Sequence, residues 1–402
     1  TLSASSAASD VYKRQAYIIK GYRSAIGKAK KGGFKNYRSD DLAVDVIKHM
    51  MTTVPEIDPK TVDDVIVGCA NPEGEQGLQI GRLISARSLG KEVPGVTINR
   101  YCASGLEAIS QAVSKVKAGF GDIYIAGGIE SMSMIPMTGY KLSPSYKANL
   151  ENLNYHVGMG HTAEAVSAKY EITRESADKF AYESHKKAAA AIDNGKFNDQ
   201  IVPIEVEDVF VKDGKKITTS HIVSMDEGVR RDTTIDGLAK LRPVFKKGGV
   251  ITAGNSSQTS DGAAFTLIVS EAIVKKLNLT PIARLTACSV GGVEPLYMGI
   301  GPCVAIPKAI KQAGLKLSDI EQTELNEAFA AQALAVIQEA RLNPETVNVN
   351  GGALALGHPL GCTGAKLSIQ LLEEMKLRGQ RYGMVTACVG GGQGIAGIFE
   401  RL

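Results

Sequence analysis

The chain has 402 residues, 46 Lys and Arg against 42 Asp and Glu, six cysteines and no Trp. A net charge of +4 over that length is no nucleic-acid footprint. The Lys pairs at 30–31, 186–187, 215–216 and 246–247 are scattered surface charge, not a basic stripe. No apolar run reaches membrane-spanning length, and the chain is too long for one ordinary core, so two or three soluble domains are expected.

Residues 1–15, TLSASSAASDVYKRQ, are Ser- and Ala-rich and are expected to be a disordered or non-native leader outside the fold. AYIIKGY (16–22) reads as the first strand. DDLAVDVIKHMM (40–51) reads as a helix with Leu42, Val46, Ile47 and Met50 on one face. DDVIVGCA (63–70) is a strand. Residues 94–119 give strand, sharp turn and a helix with Leu106, Ile109, Val113 and Val116 at helical spacing, and GDIYIAGGIE (121–130) is a buried strand. From 131 to 250 the chain turns polar, with one long helical stretch, TRESADKFAYESHKKAAAAIDNG, and short β-like runs such as QIVPIEVED. Strand–helix alternation resumes at DGAAFTLIVSEAIVKKLNL (261–279).

The last 120 residues echo the first 130. VTIN (96–99) returns as VNVN (347–350), and IYIAGG (123–128) as MVTACVGGG (384–392), each pair bracketing a helix that follows a Gly-containing turn. The expectation is an α/β protein of duplicated βαβ halves in a parallel-rich layered arrangement. Its parts are an N-terminal domain of 16–130 plus 251–279, an inserted loop domain at 131–250 and a C-terminal domain at 280–402.

Four places in this layout can carry chemistry. Cys102 follows a strand and opens a helix, where orphan N–H groups favour a thiolate. His358 stands in NGGALALGHPLGCTG (350–364), fixed by Pro359 in a loop before a helix. Cys388 lies at a strand end in ACVGGGQG, on the side where α/β sheets open on ligand crevices. Asn326 and Glu327, in LNEAFAAQALAVIQEA, are expected at the head of an apolar helix. Two thiols, one imidazole and one amide make a nucleophile, its base and a separate acid. The cysteines form no CxxC or Cys/His ligand spacing, so no metal is expected.

These residues resemble a known family. N-R-Y-C-A-S-G-L, N-E-A-F-A, N-G-G-A-L-A-L-G-H-P-L-G-C-T-G-A and T-A-C-V-G-G-G-Q-G look like the four signature blocks of thiolases. A-G-G-I-E-S-M-S, M-G-I-G-P and T-A-G-N-S-S-Q resemble further family blocks, and the likeness runs from residue 16 to 402. The resemblance implies a five-layered α-β-α-β-α fold with an inserted loop domain. It implies that Cys102 is acylated, that His358 activates it and that Cys388 is the second acid/base. Asn326 would hold a water that, with His358, polarises the thioester oxygen. The N–H groups of Cys102 and Gly390 would form a second oxyanion hole. Met159 and Ser257 would meet the pantetheine arm of coenzyme A and Arg230 its nucleotide end, while Gly237 stands where some relatives carry Ser. Coenzyme A would be a co-substrate, with no permanently bound cofactor.

G-C-A-N-P-E-G-E-Q-G and T-A-G-N-S-S-Q-T-S-D-G resemble the degradative, broad-chain branch. The expected activity is 3-ketoacyl-CoA thiolysis in fatty-acid β-oxidation, with acetyl-CoA acetyltransferase activity, run towards condensation, as the alternative. A carrier-protein ketosynthase would need a second His where this chain has NEAF. A non-catalytic lipid-binding relative would lack a reactive residue that is present here. The resemblance further implies a homodimer or homotetramer and admits a hydratase/dehydrogenase subunit as partner. With no signal peptide and no peroxisomal address legible, a cytoplasmic location is expected.

Overall fold

The structure, a computed structural model, describes residues 14–402; residues 1–13, most of the expected leader, lie outside the described residues. The first half runs β1 (Ala16–Ser24), β2 (Gly27–Lys28), α1 (Ser39–Thr52), β3 (Asp64–Cys69), α2 (Ile80–Ser88), β4 (Gly95–Ile98), α3 (Ser104–Ala118) and β5 (Ile123–Ser131). The intervening segment carries α4 (Tyr146–Glu151), α5 (Met159–Lys169), α6 (Arg174–Asp193), β6 (Ile201–Val202), the hairpin β7 (Ile204–Lys212) and β8 (Lys215–Val223), and α7 (Ile235–Ala239). Then follow β9 (Ser260–Ser270) and α8 (Glu271–Leu277). The second half runs β10 (Ala283–Gly292), α9 (Gly301–Ala313), β11 (Gln322–Leu325), α10 (Ala330–Glu339), α11 (Ala353–Leu356), α12 (Leu360–Arg378), β12 (Tyr382–Val389) and β13 (Gln393–Arg401).

The strand order β11-β12-β13-β10-β1-β9-β5-β3-β4 reads as two copies of one pattern placed back to back. One half is β4-β3-β5-β9-β1. The other is β11-β12-β13-β10, with Val347 bridging Thr323 where the counterpart of β4 belongs. The two halves join at β1 and β10 through the pairing of Ile18 with Ala283. The expected parallel-rich sheet is corrected here. Among the named strands of the described residues, β3–β4, β3–β5, β11–β12 and the short β1–β6 pairing are the parallel ones. The returning strands β9 and β13 run antiparallel to both of their main neighbours. Direction is set by these long returns, which hydrophobic periodicity does not encode.

The period of two along the strands separates the layers. Val65, Val67 and Ile125 face α1, meeting Leu42, Val46 and Ile47. Ile66, Tyr124 and Ala126 face the other way, onto Leu106, Ile109 and Val113 of α3 and Leu367, Ile369 and Leu371 of α12. Val385 and Phe399 of the second half close over the same pair of helices, while Met384 and Ile398 turn outward onto α9 and α10. Five layers result, with α3 and α12 buried between the half-sheets.

The intervening segment is fastened to this frame by a buried ion pair. Arg23 on β1 meets both Asp226 oxygens at 2.7 and 2.9 Å, and Ile26 N donates to the same carboxylate at 2.8 Å. Arg23 Nε donates to Gln200 at 2.8 Å, so the guanidinium's burial is offset by fixed partners. No helix among the described residues is long and apolar enough to cross a membrane.

Candidate active site

Cys102 sits on a sharp turn between β4 and α3. Asn99 braces it, with Nδ2 donating to Ala70 O at 2.9 Å and Oδ1 accepting Tyr101 N at 2.8 Å. Ser104 Oγ accepts from Arg100 N at 2.8 Å and donates to Tyr101 O at 2.7 Å. Tyr101 is thereby held at φ 43°, a left-handed conformation that costs energy in a non-Gly residue and clusters at functional sites. The expectation of a resting thiolate is corrected: burial pushes the Cys102 thiol up to about 12. The N–H groups of Cys102 itself and of Gly390 act on the sulfur in the opposite direction without winning. A thiol so placed needs a base.

The candidate for it, His358, stands at the head of the neighbouring helix. α3 and α12 meet backbone to backbone in their first turns: a Cβ on Gly105 would press on Ala365 N, and one on Gly364 on Leu106 N. Only glycine permits this approach, which draws the Cys102 turn and the His358 loop together. His358 N donates to Gln258 O at 3.0 Å and Ser260 Oγ at 3.2 Å, fixing the backbone. The ring Nδ1 lies 2.6 Å from Thr363 Oγ1, which donates its one proton to Pro359 O at 2.8 Å. Nδ1 therefore carries the ring proton and Nε2 the lone pair. Burial, followed by the charge of Lys366, lowers the imidazole pKa to about 4, so His358 rests neutral.

Nε2 accepts a hydrogen bond from Asn326 Nδ2 at 3.3 Å. Asn326 does not head a helix, contrary to expectation, because α10 begins only at Ala330. The NEAF stretch is instead extended and pairs with residues 255–257: Ser257 N donates to Ala328 O at 2.9 Å, Ala330 N to Asn255 O at 2.9 Å, and Ser256 bridges Phe329. Asn326 leaves β11 opposite β12, its N–H donating to Thr386 O at 2.9 Å. That places it beside Cys388 at the same sheet end. Asn326 Oδ1 is buried without a partner, the kind of polar atom a bound water or ligand satisfies.

Cys388 is fully buried among Met298, Ala328, Phe329 and the partly buried Met159. Burial raises its pKa, and the neighbouring Cys102 raises it further, so the two thiols share one pocket. Gly390 closes that pocket, with Met159 Sδ 3.7 Å and the Tyr101 ring 3.5 Å from where its Cβ would stand. Ser257 borders this cluster through its N–H on Ala328 O at 2.9 Å, whereas nothing ties the Arg230 side chain to it. Arg230 is exposed and its backbone N donates to His185 Nδ1 at 3.1 Å. The two lie on adjoining segments, because Gln258 Nε2 donates to Gly228 O at 2.8 Å. Gly237 is exposed in α7, with its N–H on Thr234 Oγ1 at 3.0 Å. The described residues assemble no group of three metal-ligating side chains.

Thr363, which sets the imidazole tautomer, escaped the sequence reading. It stands five residues after His358 in a stretch read for its glycines, His358 and Pro359.

Such a constellation belongs to acyl-transferring enzymes that work through a cysteine, and this chain is a member of the thiolase family. Residues 16–272 match the thiolase N-terminal domain and residues 279–401 the thiolase C-terminal domain. It is 49% identical over 389 residues to a 3-ketoacyl-CoA thiolase of Bacillus subtilis, covering 96% of this chain and 99% of that one. It is 42% identical over 400 residues to one of Marinobacter nauticus, covering 97% and 99%. Human mitochondrial 3-ketoacyl-CoA thiolase superposes with a TM-score of 0.86 at 38% identity, covering 97% of this chain and 99% of that one. The acetyl-CoA acetyltransferase of Bacillus anthracis gives 0.85 at 39%, with the same coverage.

Proposed function

We propose that this chain is a 3-ketoacyl-CoA thiolase. It cleaves a 3-ketoacyl-CoA with coenzyme A to acetyl-CoA and an acyl-CoA shortened by two carbons. The observation that carries the reading is the close packing of α3 and α12 through Gly105 and Gly364, which brings the Cys102 turn towards the His358 loop, with Cys388 neighbouring Cys102 and His358 Nε2 on Asn326.

His358 Nε2 takes the Cys102 proton as the sulfur attacks the C3 ketone. The resulting alkoxide is held by the N–H groups of Cys102 and Gly390. The C2–C3 bond then breaks and its electron pair passes to the acetyl-CoA enolate. Negative charge on the thioester oxygen meets the protonated Nε2 and a water on Asn326; each such donor contributes about 3–4 kcal/mol in comparable sites. Cys388 protonates C2, and acetyl-CoA leaves. The Cys388 thiolate then takes the thiol proton of an incoming coenzyme A, whose sulfur attacks the acyl-Cys102 carbonyl. Collapse expels the Cys102 thiolate, which recovers its proton from His358.

Residues 131–250 carry most of the coenzyme A contacts in this reading, with Met159 near the pantetheine and Arg230 towards the nucleotide, and Ser257, just beyond that segment, on the pantetheine arm. A homo-oligomer fits the half-exposed edge strand β4 and the nearby Leu78, fully exposed with φ 50°, because open strand edges invite a second copy. The solution mass tests that.

The alternative, acetyl-CoA acetyltransferase activity, is separated by chain length. Cleavage of both acetoacetyl-CoA and a long-chain 3-ketoacyl-CoA is the expected result. Cleavage of acetoacetyl-CoA alone would move the assignment to the acetyltransferase, and no cleavage with coenzyme A still bound would indicate a non-catalytic protein.

The low pKa of His358 adds a pH expectation. A base whose pKa is depressed in the fold stays unprotonated until the pH falls towards that value. The kcat/KM for thiolysis should therefore hold from pH 8 to about 5.5 without an inflection near 6.5. An acid limb centred near 6.5 in a protein still folded by circular dichroism would contradict the dry, neutral imidazole.

A further inference from the structure

We propose that Glu327 is a positioning residue whose carboxylate clamps the turn carrying Asn326 to the loop carrying His358. The inference rests on the catalytic reading of those two residues and deepens it.

Glu327 is 1% exposed, and its carboxylate receives three donors from two segments distant in sequence, α6 and residues 348–354. Ser184 Oγ, from α6, donates at 2.7 Å. Asn348 Nδ2 donates at 2.8 Å, and Leu354 N, four residues before His358, at 3.2 Å. Asn348 cannot turn over, because its Oδ1 accepts Leu325 N at 2.8 Å and its Nδ2 also donates to Leu325 O at 2.8 Å. Ser184 Oγ accepts Gly352 N at 3.1 Å, which ties the same loop a second time. Gly352 is a glycine for a direct steric reason: a Cβ there would run into the Glu327 carboxylate. The loop leading to His358 is thus moulded on the side chain next to Asn326. One carboxylate sets the spacing between the two groups that meet at 3.3 Å.

The donor pattern calls for a carboxyl group with an accepting oxygen on each side, although burial raises the Glu327 pKa. Glu327→Gln replaces one acceptor by an N–H₂, and either Asn348 or the Ser184–Leu354 pair then faces a donor with a donor. Glu327→Ala leaves a hole beside a cavity of about 550 Å³ lined also by Ser184, Lys187 and Asn348. A small carboxylate can reach the clamp by that route.

The test compares wild type, Glu327→Ala, Glu327→Gln and Ser184→Ala in thiolysis and in alkylation of Cys102 by iodoacetamide, which needs no CoA substrate. Misplacing a reacting group by about 1 Å costs about 100-fold. The kcat of Glu327→Ala and Glu327→Gln should fall by about that factor, with KM for coenzyme A within about twofold, and Cys102 alkylation should slow about tenfold. Ser184→Ala should shift both in the same direction by less. Acetate at about 0.1 M should restore part of the Glu327→Ala rate and acetamide none of it. Unchanged kcat and alkylation in the Gln variant, or a loss confined to KM, would overturn the clamp. If neither Glu327 variant folds, Ser184→Ala decides by the same two readouts. A wild type without thiolysis would sink the thiolase reading alone, and alkylation would still decide the clamp.

Discussion

Cys102→Ala is expected to abolish thiolysis, with kcat falling about 10⁴-fold or more while coenzyme A still binds. The size follows from what the sulfur does. In the proposed reaction it is the atom that becomes acylated, and the N–H groups of Cys102 and Gly390, which act on the sulfur, would hold the alkoxide formed on its attack. Cys102→Ser keeps the shape but replaces a soft sulfur by an oxygen whose proton His358, with its pKa near 4, removes poorly. Its loss should be nearly as large, about 10³-fold. Steady-state thiolysis beside isothermal titration with coenzyme A checks both. A Cys102→Ala protein retaining a tenth of wild-type kcat would exclude acyl-Cys102 as an intermediate.

Cys388→Ala is expected to cost about 10³-fold in kcat yet leave Cys102 reactive. Cys388 is buried and its thiol is held protonated by burial and by the sulfur of Cys102, as suits a proton donor. Without it the acetyl-CoA enolate finds no acid at C2, and coenzyme A finds no base. In the proposed reaction the base of Cys102 is a different group, His358, so iodoacetamide should still alkylate Cys102 at a rate within about threefold of wild type. Loss of both reactivities together would mean that Cys388 serves Cys102, reversing the assigned roles.

The candidate groups were legible because each stands in its own small-residue setting: a turn before a helix for Cys102, a Gly-His-Pro loop for His358, a strand end for Cys388. Their convergence was less so. It depends on α3 and α12 packing through Gly105 and Gly364, a contact across more than 250 residues. Asn326 was singled out, but it was placed on the wrong element. The Ala-rich stretch after it favours helix, yet pairing with residues 255–257 holds residues 328–329 extended, a tertiary override of local propensity. Glu327 shows the same limit. Its partners Ser184, Asn348 and Leu354 carry no pattern in the sequence, because a buried carboxylate is satisfied by whatever donors the fold delivers.

The duplicated architecture was visible as an echo of strands, and its five layers follow from alternation along β3, β5 and β12. Strand direction was not visible. β9 returns after an intervening segment of more than 100 residues, and nothing in an apolar strand says which way it runs beside its neighbours.

The most direct test of the central claim is the intact mass of the protein mixed with a 3-ketoacyl-CoA in the absence of free coenzyme A. The account predicts an added mass equal to the shortened acyl group, mapped by digestion to Cys102 and discharged when coenzyme A is added. Turnover with no such adduct, or an adduct on another residue, would contradict it.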